Sequence, residues 1–353
     1  MDFSKIFTPQ AIAANFTETY SNTIPFLGAA YFPVRKQAGL DLKWIKGKNG
    51  LPVSLAPSTF DAKARFIDRI PVQAVQTEMP FFREGYLMRE QDRQDMLRAQ
   101  SSGDPYAQAA IEQVYNDTNN LIMSAMVVSE RMIWQLLAPA NGKPGIAIVE
   151  DGVDYTYDYD PDSSFKTNNY MEVSTNKWND AAQCDPLEDL RTAMDKAQDN
   201  GSMVTTAIMS RKTFNYILKS EKVKAAVLAT QPTGTPFMTD RLVKALIMEN
   251  LGLDIIIYNK KYKGSDGTAK QFYPDDMITL LPDGAVGRTC YGTTPEEADL
   301  MMANSNADVS LVNEGIAITR IVNSHPVTTE FIASEIVLPS FERMDEVFVM
   351  KVV

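Results

Sequence analysis

Residues 34–70, VRKQAGLDLKWIKGKNGLPVSLAPSTFDAKARFIDRI, decide how the rest of the chain is read. Lys46-Gly47-Lys48-Asn49-Gly50 is a turn cluster, and Asn49-Gly50 is the dipeptide that most readily supplies positive φ at a hairpin tip. Before it, Leu40, Leu42 and Trp44 alternate with Asp41, Lys43 and Ile45, which predicts a strand with one apolar face. After it, Leu51, Val53 and Leu55 alternate with Pro52, Ser54 and Ala56. Pro52 and Pro57 cannot donate to a ladder, so the pattern is an edge or a free ribbon rather than a central strand. Two strands alone are marginal in water, so such an arm needs an outside surface to lie on. Its own domain or a neighbouring chain would serve.

Charge narrows that choice. Between positions 35 and 69 eight Lys and Arg face three Asp and Glu, a net of +5, while the whole 353-residue chain carries −11. Everything outside the arm therefore sums to −16. A cationic arm on an acidic body suits docking on an acidic neighbour. If that neighbour is another copy, the function is assembly rather than chemistry.

Downstream, Thr77-Glu78-Met79-Pro80-Phe81-Phe82-Arg83-Glu84-Gly85 leads into the polar helix start at Arg89–Gln94. After Ser101-Ser102-Gly103, Asp104-Pro105 places a capping residue ahead of proline at the first helical position. Ile111, Val114, Tyr115, Thr118, Leu121, Ile122, Ala125, Val128, Met132 and Leu136 then recur at spacings of three and four, until Pro139 and Gly142. A helix over 105–138 would be roughly 50 Å long at about 1.5 Å per residue. It reads as a spine.

Several short stretches together resemble a known family. They are Asp2-Phe3 with Phe7-Thr8-Pro9, Gly39–Gly47, Glu78–Glu84, Asp104-Pro105-Tyr106-Ala107, Asp158-Tyr159-Asp160-Pro161 and Tyr291–Glu297, in that order along nearly the whole chain. The set resembles the lambda-type major capsid proteins of tailed phages, the capsid E family, which has the Hong Kong 97 fold. The resemblance implies an α+β chain with an N-terminal arm (1–33), an extended E-loop (34–80), a peripheral domain with the spine helix (81–139) and an axial domain (140–309). Residues 310–353 are expected to return as strands beside the spine helix.

The implied function is that of a major head protein of a double-stranded DNA phage or prophage. Copies would assemble as pentamers and hexamers into an icosahedral shell, made in the host cytoplasm and ending in the virion. Implied partners are further copies, a scaffolding protein, a decoration protein and the portal. The start at Asp2-Phe3 leaves no room for a fused scaffolding segment, which points to a separate one. A nanocompartment shell of the same fold and a cytoplasmic enzyme with a carboxylate-based site are the alternatives.

Composition agrees with this reading. Apolar residues at 44% and charged ones at 22% are ordinary for a globular protein long enough for two cores. There is no signal-type opening run and no apolar stretch of membrane-spanning length. Two cysteines, Cys184 and Cys290, cannot form a disulfide framework and are expected to be reduced. Net acidity argues against tight nucleic-acid binding, which needs clustered cations. A negative wall would repel the DNA that it encloses.

Catalytic and metal patterns mostly fail, so neither an enzyme nor a cofactor is expected. The single histidine, His325, lies in the turn Asn323-Ser324-His325-Pro326 and cannot build a His-rich zinc site. No phosphate-cradling glycine loop occurs. Asp158-Tyr159-Asp160-Pro161-Asp162 imitates the opening of a calcium loop, but Ser163 replaces the glycine and Asn169 the closing glutamate, leaving an exposed acidic turn. Some capsids of this fold join an arm lysine to a neighbour's asparagine, yet turn solubility accounts for Lys46 and Lys48.

The predicted contact is therefore between copies. Lys43, Lys46, Lys48, Arg65 and Arg69 of the arm would meet Asp92, Asp95, Glu112, Asp117 and Glu130 of a neighbour's spine region, where 89–138 holds four basic and seven acidic residues. Trp44, Ile45, Leu51, Val53 and Phe60 would be its buried part.

The remaining pattern is alternating. Strands are expected about Asp151-Gly152 and at Met203–Met209, Leu253–Tyr258 and Ile278–Leu281. Helices are expected at 185–199, Thr213–Leu218 and Thr239–Asn250, with a capping box at Thr294–Glu297. Residues 1–33 read as an apolar tether with a weak helical stretch over 10–20.

Overall fold

Three helices in this chain begin where a side-chain oxygen and a proline coincide. Thr8 Oγ1 accepts the amide of Ala11 at 3.2 Å ahead of Pro9. Asp185 accepts the amide of Glu188 at 3.3 Å ahead of Pro186. Thr294 and Glu297 exchange bonds at 3.3 and 3.0 Å around Pro295. In each case a side chain satisfies an amide that the first turn leaves without a carbonyl.

The computed structural model describes residues 8–19, 25–46, 73–94, 105–150, 152–230, 238–301, 308–312 and 314–353. Helix α1 (Pro9–Thr19) precedes strands β1 (Val34–Lys36), β2 (Asp41–Lys46), β3 (Gln73–Glu78) and β4 (Phe81–Met88), and then α2 (Pro105–Leu137), the 33-residue spine. Next come β5 (Gly145–Glu150), β6 (Val153–Asp158), β7 (Tyr170–Glu172), α3 (Pro186–Asp199), β8 (Thr206–Met209), α4 (Arg211–Lys219), α5 (Glu221–Thr230) and α6 (Asp240–Leu251). The chain continues through β9 (Asp254–Ile257), β10 (Lys261–Lys263), β11 (Ala269–Gln271), β12 (Met277–Leu281), β13 (Arg288–Tyr291) and α7 (Pro295–Met301). It closes with β14 (Asp308–Val312), β15 (Ile316–Ser324), β16 (Val327–Ser340) and β17 (Phe348–Lys351).

Two compact units result. The first takes the described residues within Met1–Leu42, Gln76–Arg131 and Arg288–Ser340. Its sheet runs β1-β13-β16-β15-β14, and β4 joins along β16 from Phe81↔Ile336 to Met88↔Thr329. One face buries Phe331 and Ala333 of β16, Ile316 and Ile318 of β15 and Met88 of β4. Against them lie Val114 and Ile122 of the spine and Ile12 and Phe16 of α1. Val114, Thr118 and Ile122 are spaced by four, so they share one helix face, and all three are buried.

The second unit takes the described residues within Lys43–Val75, Met132–Gly287 and Phe341–Val353. Its sheet runs β7-β17-β12-β8-β9, parallel at β17–β7 and β8–β9 and antiparallel elsewhere. Leu190 of α3, Phe214 and Ile217 of α4, Val223 of α5 and Val243 and Ile247 of α6 pack into its core with Ala207, Ile278 and Phe348. Trp134, near the end of the spine, stacks on Tyr258 at 4.9 Å and meets Tyr273 edge-on at 5.3 Å.

Several expectations need correction. The N-terminal stretch is more than a tether, because Ile12 and Phe32 are fully buried in their own chain. Strand β17 does not join the sheet of the first unit. It pairs with β12 and β7 in the second sheet, and its Phe348, Val349 and Met350 are fully buried. Alternating hydrophobicity says that a strand has neighbours and not which ones. The boundary expected near 309 lies at 287/288, since β13 runs parallel to β1 and antiparallel to β16. Finally, β2 pairs with β3, a strand that the turn at Asn49-Gly50 did not suggest. That turn, and the strand expected after it, lie outside the described residues.

Candidate assembly interface

The base of the arm is firmly anchored. On β2, Leu42 and Trp44 are buried while Lys43 between them is exposed, as alternation requires. The Trp44 ring stacks on Tyr159 at 5.4 Å. Met79 donates its amide to the Leu40 carbonyl at 2.9 Å, and the Gln37 side chain donates to the Asp41 carbonyl at 2.9 Å. Trp44 was expected at a contact between copies, but a ring already stacked within its own chain has little face left to offer. Lys48, Arg65, Arg69 and Asp95, with the side chains of Lys46 and Glu112, lie outside the described residues.

One arm cation is also committed. The Lys36 ammonium donates to both carboxylate oxygens of Glu297 at 2.8 Å. Glu297 is the buried capping-box residue of α7, so this single carboxylate fastens β1 and caps a helix. The +5 counted over 35–69 thus overstates what the arm can present to a neighbour.

Among the expected acidic partners the structure separates three cases. Asp92 is half-buried and accepts the Arg89 amide at 2.9 Å. Asp117 is half-buried, accepts from the Gln113 amide nitrogen at 2.9 Å, and is hydrogen-bonded to Tyr86. Burial first, and then the charge of Asp117, push the Tyr86 phenol above its ordinary pKa. Glu130 is only 1% exposed, and both its oxygens accept the amide of Gly28 at 3.1 Å. The assignment of Glu130 to a neighbour's arm is therefore wrong. It sits on the inward side of the spine, where it satisfies the first amide of the one-turn helix Gly28–Tyr31.

Asp158, Asp160 and Asp162 do not form an exposed turn throughout. Asp160 is fully buried and accepts the Phe165 amide at 3.1 and 3.2 Å and the Ser164 hydroxyl at 3.0 Å. Asp158 pairs with Lys143 at 2.8 Å. These carboxylates start a short helix and hold a strand end.

Two features had no clear sequence signal. Arg83 on β4 binds Glu296, which also accepts from Ser334 of β16 at 2.9 Å, tying α7 to the sheet. Glu335 of β16 is buried, and neither of its oxygens has a hydrogen-bond partner among the described residues. Burial raises its pKa well above the usual value. A proline after a threonine marks a cap from sequence, but a glutamate in a run of apolar strand residues gives no hint of its surroundings.

An arm base tied down by its apolar face, a 33-residue spine packed on a mostly antiparallel sheet, and a second sheet-and-helix unit are parts of one known architecture. The sequence matches the family of phage major capsid protein E over residues 10–352. This chain belongs to that family. It is a structural protein of the phage head shell, a component of the virion, with the Hong Kong 97-like fold. Similar solved structures include a putative capsid protein of a prophage of E. coli CFT073, at 14% identity and TM-score 0.59, covering 98% of this chain and 99% of that one. The cyanophage A-1(L) capsid protein is 12% identical with TM-score 0.54, over 93% and 92% of the two chains. The mature capsid protein of bacteriophage PhiM1 is 12% identical with TM-score 0.50, over 93% and 87%. No curated protein matches the sequence. No helix among the described residues is long and apolar enough to cross a membrane.

Proposed function

We propose that copies of this phage major capsid protein close as pentamers and hexamers into an icosahedral shell, each laying its basic arm on the acidic spine region of a neighbour. The carrying observation is the stem of the arm. Strands β2 and β3 pair, Leu42 and Trp44 are buried, and Lys43 is left facing solvent at the root of a segment that includes Lys46, Lys48, Arg65 and Arg69. Exposed ion pairs contribute only about 0–1 kcal/mol each, so they set register and rate more than affinity. With Glu130 removed, the partners in this reading are Asp92, Asp95, Glu112 and Asp117.

Charge reversal at Lys43, Lys46 and Arg65 together is the test. The triple variant should remain a folded protomer by circular dichroism and yet form no shells by electron microscopy and size exclusion. Normal shells from it would refute the arm contact.

Scaffolding, decoration and portal proteins complete the proposal as partners, and co-expression with neighbouring gene products would reveal them. The enclosed duplex DNA is held without strong binding, a reading supported by the net charge of −11 per copy. Assembled shells should therefore show no retention of duplex DNA at physiological salt in a sedimentation assay. Stable co-sedimentation would count against it.

A further inference from the structure

One hairpin of the second unit stands apart from its main sheet. Strands β10 and β11 form a two-stranded sheet of their own, in register Lys261↔Gln271, Tyr262↔Lys270 and Lys263↔Ala269. Tyr262 packs on Phe272 at 4.8 Å, and Phe272 lies 6.4 Å from Tyr258, so an aromatic row fixes the root through one face. Alternation puts Lys261 and Lys263 on the other face with Ala269 and Gln271, and all four are exposed. At the tip Asp266 accepts the Thr268 amide and hydroxyl at 3.0 and 2.7 Å and pairs with Lys270 at 3.1 Å. Its charge is thus taken up by Lys270, whereas Lys261 and Lys263 have no ion-pair partner among the described residues.

The opposite end of the main sheet is acidic. Helix α3 ends at Asp199 and leads through Met203 into β8, and α6 ends at Leu251 and leads through Gly252 into β9. The Asp254 amide donates to the Thr205 carbonyl at 2.9 Å, which sets the two strand entries side by side. Asp195, Asp199, Glu249 and Asp254 are exposed and have no ion-pair partner among the described residues, while Lys196 is the one cation in the last turns of the two helices. A carboxylate at a helix C-terminus faces the negative end of the dipole, so Asp199 and Glu249 bring no stability to their own helices. Close to them in the chain, Met203 and Met248 stand 81% and 47% exposed. Thioether chains bared at a surface suit contacts that must adjust in shape.

We infer that the free face of the β10–β11 hairpin, through Lys261 and Lys263, docks on the acidic, methionine-bearing entries of β8 and β9 in the next copy, and that this joint closes the rings of the shell. This rests on the shell reading above. Strands β8 and β9 are parallel, so their entries and the hairpin that follows the exit of β9 lie at opposite ends of one sheet. Their four residues separate the ends by roughly 13 Å at about 3.3 Å per residue, so one copy cannot bring the two together. A pentamer or hexamer is cyclic, and each protomer in it must offer two different surfaces that fit one another. These two fit in charge and in character. The lysine stems and Ala269 lie over the methionines, while the ammonium groups reach the carboxylates and the negative helix ends. Duplex DNA could meet the two lysines but would leave the methionines bare.

The experiment is a charge swap in the full chain. Lys261→Glu with Lys263→Glu, or Asp199→Lys with Glu249→Lys, should each slow shell formation about tenfold in light scattering while the protomer stays folded by circular dichroism. The four changes together should restore the rate. The second pair also places cations at two helix C-termini, so it should raise the melting temperature of the protomer by about 1–2 °C even as assembly slows. Independently, Met203→Cys with Lys263→Cys should give interchain disulfide ladders that run to the pentamer and hexamer on non-reducing gels of particles, since Cys184 and Cys290 are buried. Normal assembly by either double variant, no recovery in the quadruple one, ladders that stop at the dimer, or a lysine variant that loses only DNA retention would overturn the joint. In those cases the shell reading survives if the unaltered chain still forms megadalton particles. Failure of the unaltered chain to form particles beside its scaffold would overturn both.

Discussion

Glu335 shows how one side chain can tie stability to pH. Its carboxyl is buried without a hydrogen-bond partner among the described residues, so the folded state favours the protonated form, and burial lifts its pKa well above the usual 4.5. Once ionised at higher pH, its charge adds to the burial that raises the Tyr291 phenol. The folded chain then binds a proton that the unfolded chain releases once pH exceeds about 4.5. The contribution of Glu335 is fully present below that value and is lost as pH rises through the folded pKa. Glu335→Met removes the polar group at similar volume. It should stabilise the protomer by about 1–3 kcal/mol at pH 7 and flatten the fall in melting temperature between mildly acidic and neutral pH. An unchanged slope in thermal melts across that range would show that another group carries it.

Helix α7 is a short element, and two of the contacts that fix it differ in their visibility in sequence. The capping box Thr294-Pro295-Glu296-Glu297 is legible because the cap, the proline and the glutamate are local to one turn. The Lys36 partner of Glu297 is not legible, for the two lie 261 positions apart and only the sheet brings them together. Thr294→Ala should cost about 1 kcal/mol of unfolding free energy, seen as a lower urea midpoint with an unchanged slope. The same division runs through the chain. The spine was predicted over 105–138 and spans Pro105–Leu137, and the helix expected at 185–199 spans Pro186–Asp199, since periodicity and caps are local signals. Strand partners are less legible: nothing local assigns β17 to the second sheet or announces β3, because pairing depends on distant segments. Alternation along β2 makes the exposure of Lys43 legible, whereas the commitment of Trp44 to Tyr159, of Lys36 to Glu297 and of Glu130 to Gly28 joins distant positions and is not.

A chain of net −11 that must meet copies of itself has a repulsion to overcome, and its charge is distributed accordingly. Cations are gathered over 35–69 and 201–275, and acids over 89–138 and 145–162, so that like regions need not face each other. This arrangement predicts how assembly responds to salt. Monovalent salt acts in two directions, weakening general repulsion between protomers and weakening the specific attraction of basic for acidic regions. The Debye length falls from about 10 Å at 0.1 M to about 3 Å at 1 M. Repulsion between whole chains acts over longer distances and is screened first. Contact pairs are screened later and incompletely. Shell formation followed by light scattering should therefore quicken as salt is raised from very low levels, pass through a maximum, and slow towards 1 M. The variant reversed at Lys43, Lys46 and Arg65 should lack the slowing limb, because the attraction that salt removes is already gone. A rate that rises steadily with salt in the unaltered protein would instead mean that apolar burial alone drives the contacts and that the segregated charges serve only solubility.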